Sequence, residues 1–323
     1  SLHGASKYDY PFFSDKPYNR NKTILLRNGG NDNYNKYRLK DVALQEIARH
    51  SGFKLTLQSV QPTHVFVNGE YIAMLNMREP SNKHWAYANL GTDNDMIDSF
   101  EMSVDSGYVQ KSGTRDAFDY WYNLTEDLAA DPQNAEIYKK ICDIVDIDDY
   151  VNYFAYKFFL NDWDWPHNNC KGFRDRNDGK FRFMVFDLDN CVDRTGNNIF
   201  NDFENKRTHT FYGRPEYNGT SLTKEVELVT MFLNMIENDT FRKKFIDTYC
   251  IVGGCVFRDD AETTRIVNEL AEERRTALLW EGNDPVGSNK ERSQGIINAL
   301  TGQFKSRMMI ARSEERFSRN AET

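Results

Sequence analysis

Apolar and polar positions follow two different periods along this chain, and the change of period divides it. Near the start, Ile24, Leu25 and Leu26 stand between Lys22 and Arg27, a pattern that predicts a strand over 22–27. Asn28-Gly29-Gly30-Asn31-Asp32 then marks a turn. Leu39, Val42, Ala43, Ile47 and Ala48 recur at three- and four-residue spacing, which predicts a helix over 38–50 stopped by Gly52. Strands are predicted over 63–67 and 71–77, joined by Asn68-Gly69, residues suited to the positive φ angles of a tight hairpin turn. This strand-rich stretch ends at Arg78-Glu79-Pro80.

Beyond residue 80 the helical period dominates. Helices are predicted over 115–129, 135–145, 147–160, 224–234, 240–249, 260–280 and 289–313. The exception is a hairpin, 171–174 and 180–186, turning at Asn177-Asp178-Gly179. Residues 161–169 read as a loop, and 190–222, polar and rich in Asn and Gly, as a long irregular one. The tail after residue 316 is expected to fray. The pattern therefore predicts an α+β fold in two lobes, a small strand-rich N-lobe over 1–80 and a larger, mainly helical C-lobe over 81–323.

Composition narrows the class. With 323 residues, 39% apolar and 28% charged, the chain can bury a sizeable core. A net charge of −8 argues against a general grip on nucleic acid. No apolar run reaches the ~20 residues of a transmembrane helix. The chain opens at Ser1-Leu2-His3 without an initiator Met, so it reads as an excised piece and the lack of a signal peptide says little. The five cysteines, Cys142, Cys170, Cys191, Cys250 and Cys255, form no CxxC pair, which argues against zinc. Buried thiols are expected, with disulfides left open for Cys250 with Cys255 and Cys170 with Cys191. The sequons at Asn21, Asn123, Asn218 and Asn238 are of a kind that arises by chance.

The chemistry concentrates in residues 160–191. An apolar helix delivers a loop bearing Asp162, Asp164, His167, Asn168 and Asn169, and an apolar strand then runs into Asp187 and Asp189. If that strand continues far enough, Asp187 and Asp189 share a face. Carboxylates and an amide are the ligands hard divalent cations prefer. Asp164-x4-Asn169 has the spacing of a protein-kinase catalytic loop, where the Asp orients a hydroxyl and the Asn holds metal; a hairpin then brings a further Asp onto the metals. The same acids would also serve as ordinary turn and helix caps. His167 is a candidate for supporting the loop, as is Asn168.

Several motifs together resemble the CotH (spore coat protein H) kinase family. They are Asp164-Trp-Pro-His-Asn-Asn169 and Gly179-Lys-Phe-Arg-Phe-Met-Val-Phe-Asp187-Leu-Asp189. Upstream stand Phe12-Phe13, Asp15-Lys16, Leu26-Arg-Asn-Gly-Gly-Asn-Asp32, Arg38-x3-Ala-Leu-Gln45 and Asn68-Gly-Glu-Tyr-Ile-Ala-Met-Leu-Asn-Met-Arg78-Glu79. The resemblance runs from about residue 8 to residue 310. It implies an atypical protein-kinase-like fold that binds ATP with Mg²⁺ (or Mn²⁺ or Ca²⁺) and phosphorylates Ser or Thr of secreted or surface proteins. By that resemblance Asp164 is the catalytic Asp and Asp187 a metal ligand; Asn169 is assigned to the metal by its kinase-like spacing, and Asp189 is a further candidate ligand from its carboxylate. The family carries a further upstream stretch with a Lys-bearing strand, and this chain is expected to lack it. Lys22 and Arg27 are the stand-ins for the nucleotide-gripping cation, with Asp41 or Glu46 as its helix partner. Arg78 and Glu79, at the hinge, are candidates for holding the nucleotide. Two other readings compete: a non-catalytic coat, surface or adhesion module keeping the metal site, and a glycoside hydrolase using a carboxylate pair, which the 14% aromatic content would suit.

Overall fold

The structure, a computed structural model, describes residues 4, 6–16, 20–32, 38–192, 198–212, 221–258, 260–281, 298, 301–303 and 305–307. The sequon at Asn218, the tail after 316 and most of the helix expected over 289–313 lie outside them. After two short paired strands, β1 (Tyr8–Asp9) and β2 (Arg20–Asn21), comes β3 (Leu25–Arg27), shorter than the pattern predicts. It pairs with β5 (Glu70–Arg78), which also pairs with β4 (Val60–Val67), giving a sheet of order β3-β5-β4. Asn68 and Gly69 take φ of 53° and 85°, as the tight turn between β4 and β5 requires.

Helix α1 (Lys40–Ser51) buries the predicted apolar face, and Gly52 ends it in the left-handed conformation at φ 72°. The later helices α3 (Asp116–Ala130), α4 (Ala135–Ile144), α5 (Ile147–Phe159), α7 (Glu227–Ile236), α8 (Asp239–Ile251) and α9 (Asp260–Trp280) stand close to their expected places. Helix α5 is buried nearly all round. Its Tyr150, Tyr153, Phe154 and Phe158 enter an aromatic cluster with Trp165, Phe183, Phe203 and Phe232. Tyr153 stacks on Phe183 at 4.8 Å, and Phe154 on Phe232 at 5.0 Å. The high aromatic content is thus largely spent inside the fold.

The structure adds elements in the second half that the pattern does not predict. Helix α2 (Lys83–Leu90) follows the hinge, and a hairpin of β6 (Ile97–Ser103) and β7 (Gly107–Ser112) joins β8 (Cys170–Asp175) and β9 (Lys180–Met184) in a sheet of order β7-β6-β8-β9. Both faces of β6 are covered, with Asp98 and Ser99 buried beside Ile97 and Phe100, so no alternation survives in its sequence. Gly172 of β8 lies against Phe100, whose ring a Cβ there would meet at 2.4 Å. Finally, the stretch expected to be irregular holds α6 (Ile199–Glu204) and a hairpin of β10 (Thr208–Tyr212) with β11 (Ser221–Glu225). Among the described residues no helix is long and apolar enough to cross a membrane, and the five cysteines form no disulfide.

Asp149, in the first turn of α5, accepts a hydrogen bond from the Phe183 N–H of β9 at 2.7 Å, fastening helix to hairpin. Burial pushes its carboxyl up from 3.8 to about 7. The native state therefore holds a proton that the unfolded chain has released, and the stability this confers is fully present below about pH 4 and lost as pH rises through 7. Thermal unfolding across that range should show the midpoint of wild type falling more steeply with pH than that of Asp149→Asn. Parallel slopes would count against this assignment.

Candidate active site

The loop after α5 brings Asp164, Asn168 and Asn169 together. Asp164 Oδ2 accepts from the side-chain amides of Asn169 at 3.1 Å, Asn168 at 3.3 Å and Asn190 at 3.4 Å. Asn161 and Asn169 open and close this loop at positive φ, 51° and 48°, which Asn tolerates better than most residues. Burial raises the Asp164 carboxyl above its ordinary value, partly opposed by the Asn168 and Asn190 amides. Its other oxygen, Oδ1, lies 3.7 Å from His167 Nε2. His167 is itself buried, and burial with the nearby His209 and Lys206 lowers it to about 4, so it stands neutral at pH 7. Asn190 was not singled out from the sequence, although it directly follows Asp189.

Asp187 and Asp189 come together by a different route from the one expected. Strand β9 ends at Met184, and Asp187 takes φ 55°, so alternation along a strand does not align the two. They converge on Arg27 at the end of β3, whose guanidinium bonds directly to Asp187 Oδ1 and stands 3.6 Å from Asp189 Oδ2. Asp189 is almost fully buried and also accepts the Asn31 N–H at 2.7 Å. Burial and the neighbouring Asp187 push its carboxyl up to about 6. Gly30 makes the approach possible, since a Cβ there would meet Asp189 Oδ2 at 2.4 Å.

Of the proposed stand-ins, Arg27 thus reaches the acids, whereas among the described residues no ion pair joins Lys22 to any of them. Neither helix acid forms an ion pair with Arg27 among the described residues: Glu46 pairs with Arg49 at 3.1 Å, and Asp41 pairs with Arg78 while acting on Arg27 only through its charge. Asp41 bonds Arg78 of β5 and accepts the Leu188 N–H at 3.0 Å and the Gln45 amide at 3.1 Å. Burial works to raise the Asp41 carboxyl, but Arg78 and Arg27 more than offset it and hold it below the usual value. The side chains of Arg78 and Glu79, expected to help hold a nucleotide, are both engaged inside the protein. Arg78 is fully buried against Asp41. Glu79 is buried too, its carboxylate taken by Lys16 at 3.0 Å, the Ser59 N–H at 3.1 Å and the Asn89 amide at 2.7 Å.

Sequence reasoning also missed Lys157, the one cation in the apolar run of α5. It is fully buried, pairs with Asp162 at 2.7 Å and donates to the Phe186 carbonyl at 3.4 Å, just before Asp187. Its position inside an apolar helix was a usable signal. A cavity of about 380 Å³ lies between β3, the segment after β5 and the second sheet, lined in part by Leu25, Pro80, Asn82, Glu101, Lys171 and Met184 and by none of the acids of the site. Lys171 sits 3.7 Å from Glu101 and 4.4 Å from the centre of the Phe186 ring. Arg174, by contrast, is committed to Asp98 at 2.9 Å. Among the described residues no three His, Cys, Asp or Glu side chains converge as a metal cluster.

The family model described as CotH kinase protein matches residues 6–281, and the chain belongs to that family. It is thereby a kinase-like protein. The crystal structure of the Helicobacter pylori proinflammatory kinase CtkA superposes over 87% of this chain and 81% of its own, at 10% identity and a TM-score of 0.37. No curated protein matches the chain by sequence.

The Asp41–Arg78 pair yields a stability test. Removing one partner strands a buried charge, so Asp41→Ala should cost about 3–5 kcal/mol in urea unfolding, while Asp41→Ala with Arg78→Met should recover much of that loss. A double variant no more stable than the single one would show that the pair does not act as a unit.

Proposed function

We propose that this chain transfers the terminal phosphoryl group of ATP to a Ser or Thr hydroxyl of a secreted or surface protein, with the help of a divalent cation. The observation that carries the reading is the Asp164 carboxylate, held on one oxygen by amides and left with the other facing the loop's neutral histidine. Phosphoryl transfer asks the protein for positioning and charge compensation more than for covalent chemistry.

In this reading the acceptor hydroxyl oxygen bonds to the γ-phosphorus as the bridging P–O bond breaks and ADP leaves with that electron pair. The hydroxyl proton passes to Asp164 Oδ1. A carboxyl raised by burial accepts a proton more readily than an ordinary one, and the amides of Asn168, Asn169 and Asn190 hold it without adding charge. The cavity under β3 has room for a nucleobase, and Arg27 sets a guanidinium where phosphate oxygens would approach.

The donor set fits a hard cation: the Asp187 and Asp189 carboxylates and the carbonyl oxygen of Asn169, whose amide nitrogen is already spent on Asp164. Two carboxylates completed by substrate phosphates suit Mg²⁺ better than an all-protein cage. When bound, the cation supplies positive charge against the charge that develops on transfer. The rise in the Asp189 carboxyl reflects the crowding of negative charge it would relieve.

The direct bond of Arg27 to Asp187 favours a second reading, a non-catalytic surface module in which the guanidinium replaces the cation. The hydrolase reading gains nothing comparable, because most of the described aromatic side chains are packed in the core.

Calorimetric titration of ATP into the chain, with and without Mg²⁺ or Mn²⁺, separates these readings. Phosphoryl transfer requires metal-dependent binding that Asp187→Ala weakens at least tenfold, while Asp164→Ala keeps most binding and loses at least a hundredfold in transfer. Metal-independent binding, or full transfer by Asp164→Ala, would sink it.

A further inference from the structure

The backbone on both sides of Asp164 is held from outside its own loop. Lys206, in the turn between α6 and β10, donates from Nζ to the Trp163 carbonyl at 2.9 Å and to the Trp165 carbonyl at 2.7 Å. One ammonium group therefore grips the residue before Asp164 and the residue after it. Charge-assisted bonds of this kind are stronger than bonds between neutral groups.

A second contact comes from the same segment. The His209 ring of β10 packs on the His167 ring with centroids 4.3 Å apart. His167 in turn faces Asp164 Oδ1, and Phe211, buried two residues further on, stands against His209 at 5.0 Å. The strand is secured behind this face. Lys206 N–H donates to the Phe203 carbonyl at 3.0 Å, the Val226 N–H to the Arg207 carbonyl at 2.7 Å, and β10 pairs along its length with β11.

We infer that residues 206–211 form a strap that positions Asp164, with Lys206 and His209 as positioning residues for phosphoryl transfer; the inference rests on the function proposed above. Neither side chain touches the reacting atoms. Lys206 fixes the direction in which the Asp164 side chain leaves the backbone, and His209 backs the imidazole that borders Oδ1. A small rotation of that backbone would turn Oδ1 away from an acceptor hydroxyl without disturbing the Arg27–Asp187 side of the cleft. Losses in effective positioning of this kind appear in the turnover number and not in nucleotide binding.

The test uses the full chain, MgATP and dephosphorylated casein as the acceptor. Lys206→Met should lower kcat at least tenfold, with the KM for ATP and the Kd for MgATP within about twofold of wild type. Lys206→Arg, which can still reach both carbonyls, should recover most of the loss; His209→Ala should lose severalfold and His209→Phe, which keeps a ring against His167, much less. A wild-type kcat in Lys206→Met, or loss of MgATP binding in step with kcat, overturns the strap. Amide hydrogen exchange over residues 161–169 gives a readout that does not depend on turnover. Exchange there should quicken in Lys206→Met and not in Lys206→Arg. If wild type transfers no phosphate, the proposed function fails while the exchange result still decides the strap, and unchanged protection in Lys206→Met rejects it.

Discussion

The Asp41 carboxylate is the point at which helix α1, strand β5 and the candidate site are joined. It stands in the first turn of α1 and accepts from Arg78 of β5, from Gln45 one helical turn on, and from the Leu188 N–H between the two acids of the site. An ionised carboxylate is costly to bury unless its oxygens are fully used, and here each oxygen has a donor. That requirement dictates the arrangement around it. Strand β5 must run far enough for Arg78 to reach α1, and the chain after β9 must bend so that Leu188 offers its N–H. The positive φ of Asp187 is part of that bend.

The cations near the site share a division of labour. Lys157 bonds the carbonyl before Asp187, Lys40 bonds the carbonyls of Asp189 and Cys191, and Lys206 bonds the carbonyls on either side of Asp164. Each lysine holds backbone next to an acid and leaves that acid's carboxylate alone. Arg27 is the cation that meets carboxylates of the site directly, through Asp187 and Asp189. Backbone is thereby fixed by ammonium groups, buried at Lys40 and Lys157 and half-buried at Lys206, while the negative charge that could receive a cation stays on the side chains. The lysines also come from separate elements, so the cleft is braced by the tertiary fold and not by any one loop.

Much of this was legible in the sequence, and the exceptions have physical causes. Helix α1, the Asn68-Gly69 turn and helix α9 were readable because periodicity and turn chemistry are local properties. That Asp164 and Asn169 come together was readable because their five-residue spacing across a loop brings the two side chains within hydrogen-bond reach. Strand β6 was not, because it is buried on both faces and carries Asp98 and Ser99 inward. The burial of Arg78 was not legible for a related reason: a charged residue beside Pro80 looks exposed until its partner, far away in sequence on α1, is known. Lys206 carried no signal, since what defines it is proximity to carbonyls in a loop some forty residues earlier.

The contrast between the two acids of the cleft bears most on chemistry. Asp187 faces an arginine, whereas Asp164 is surrounded by side-chain amides and an imidazole that burial keeps neutral. Among the described residues no lysine or arginine forms an ion pair with Asp164. A guanidinium at that position would lower its carboxyl, and in the reaction proposed above the amide cage avoids that cost. The same cage explains why a lysine serving Asp164 must act on the flanking carbonyls. Placed on the carboxylate it would hold the side chain equally well and disable it. Orientation through the backbone, with charge kept off the carboxylate, satisfies both demands, and it draws strand β10, remote in sequence, into the chemistry of the loop.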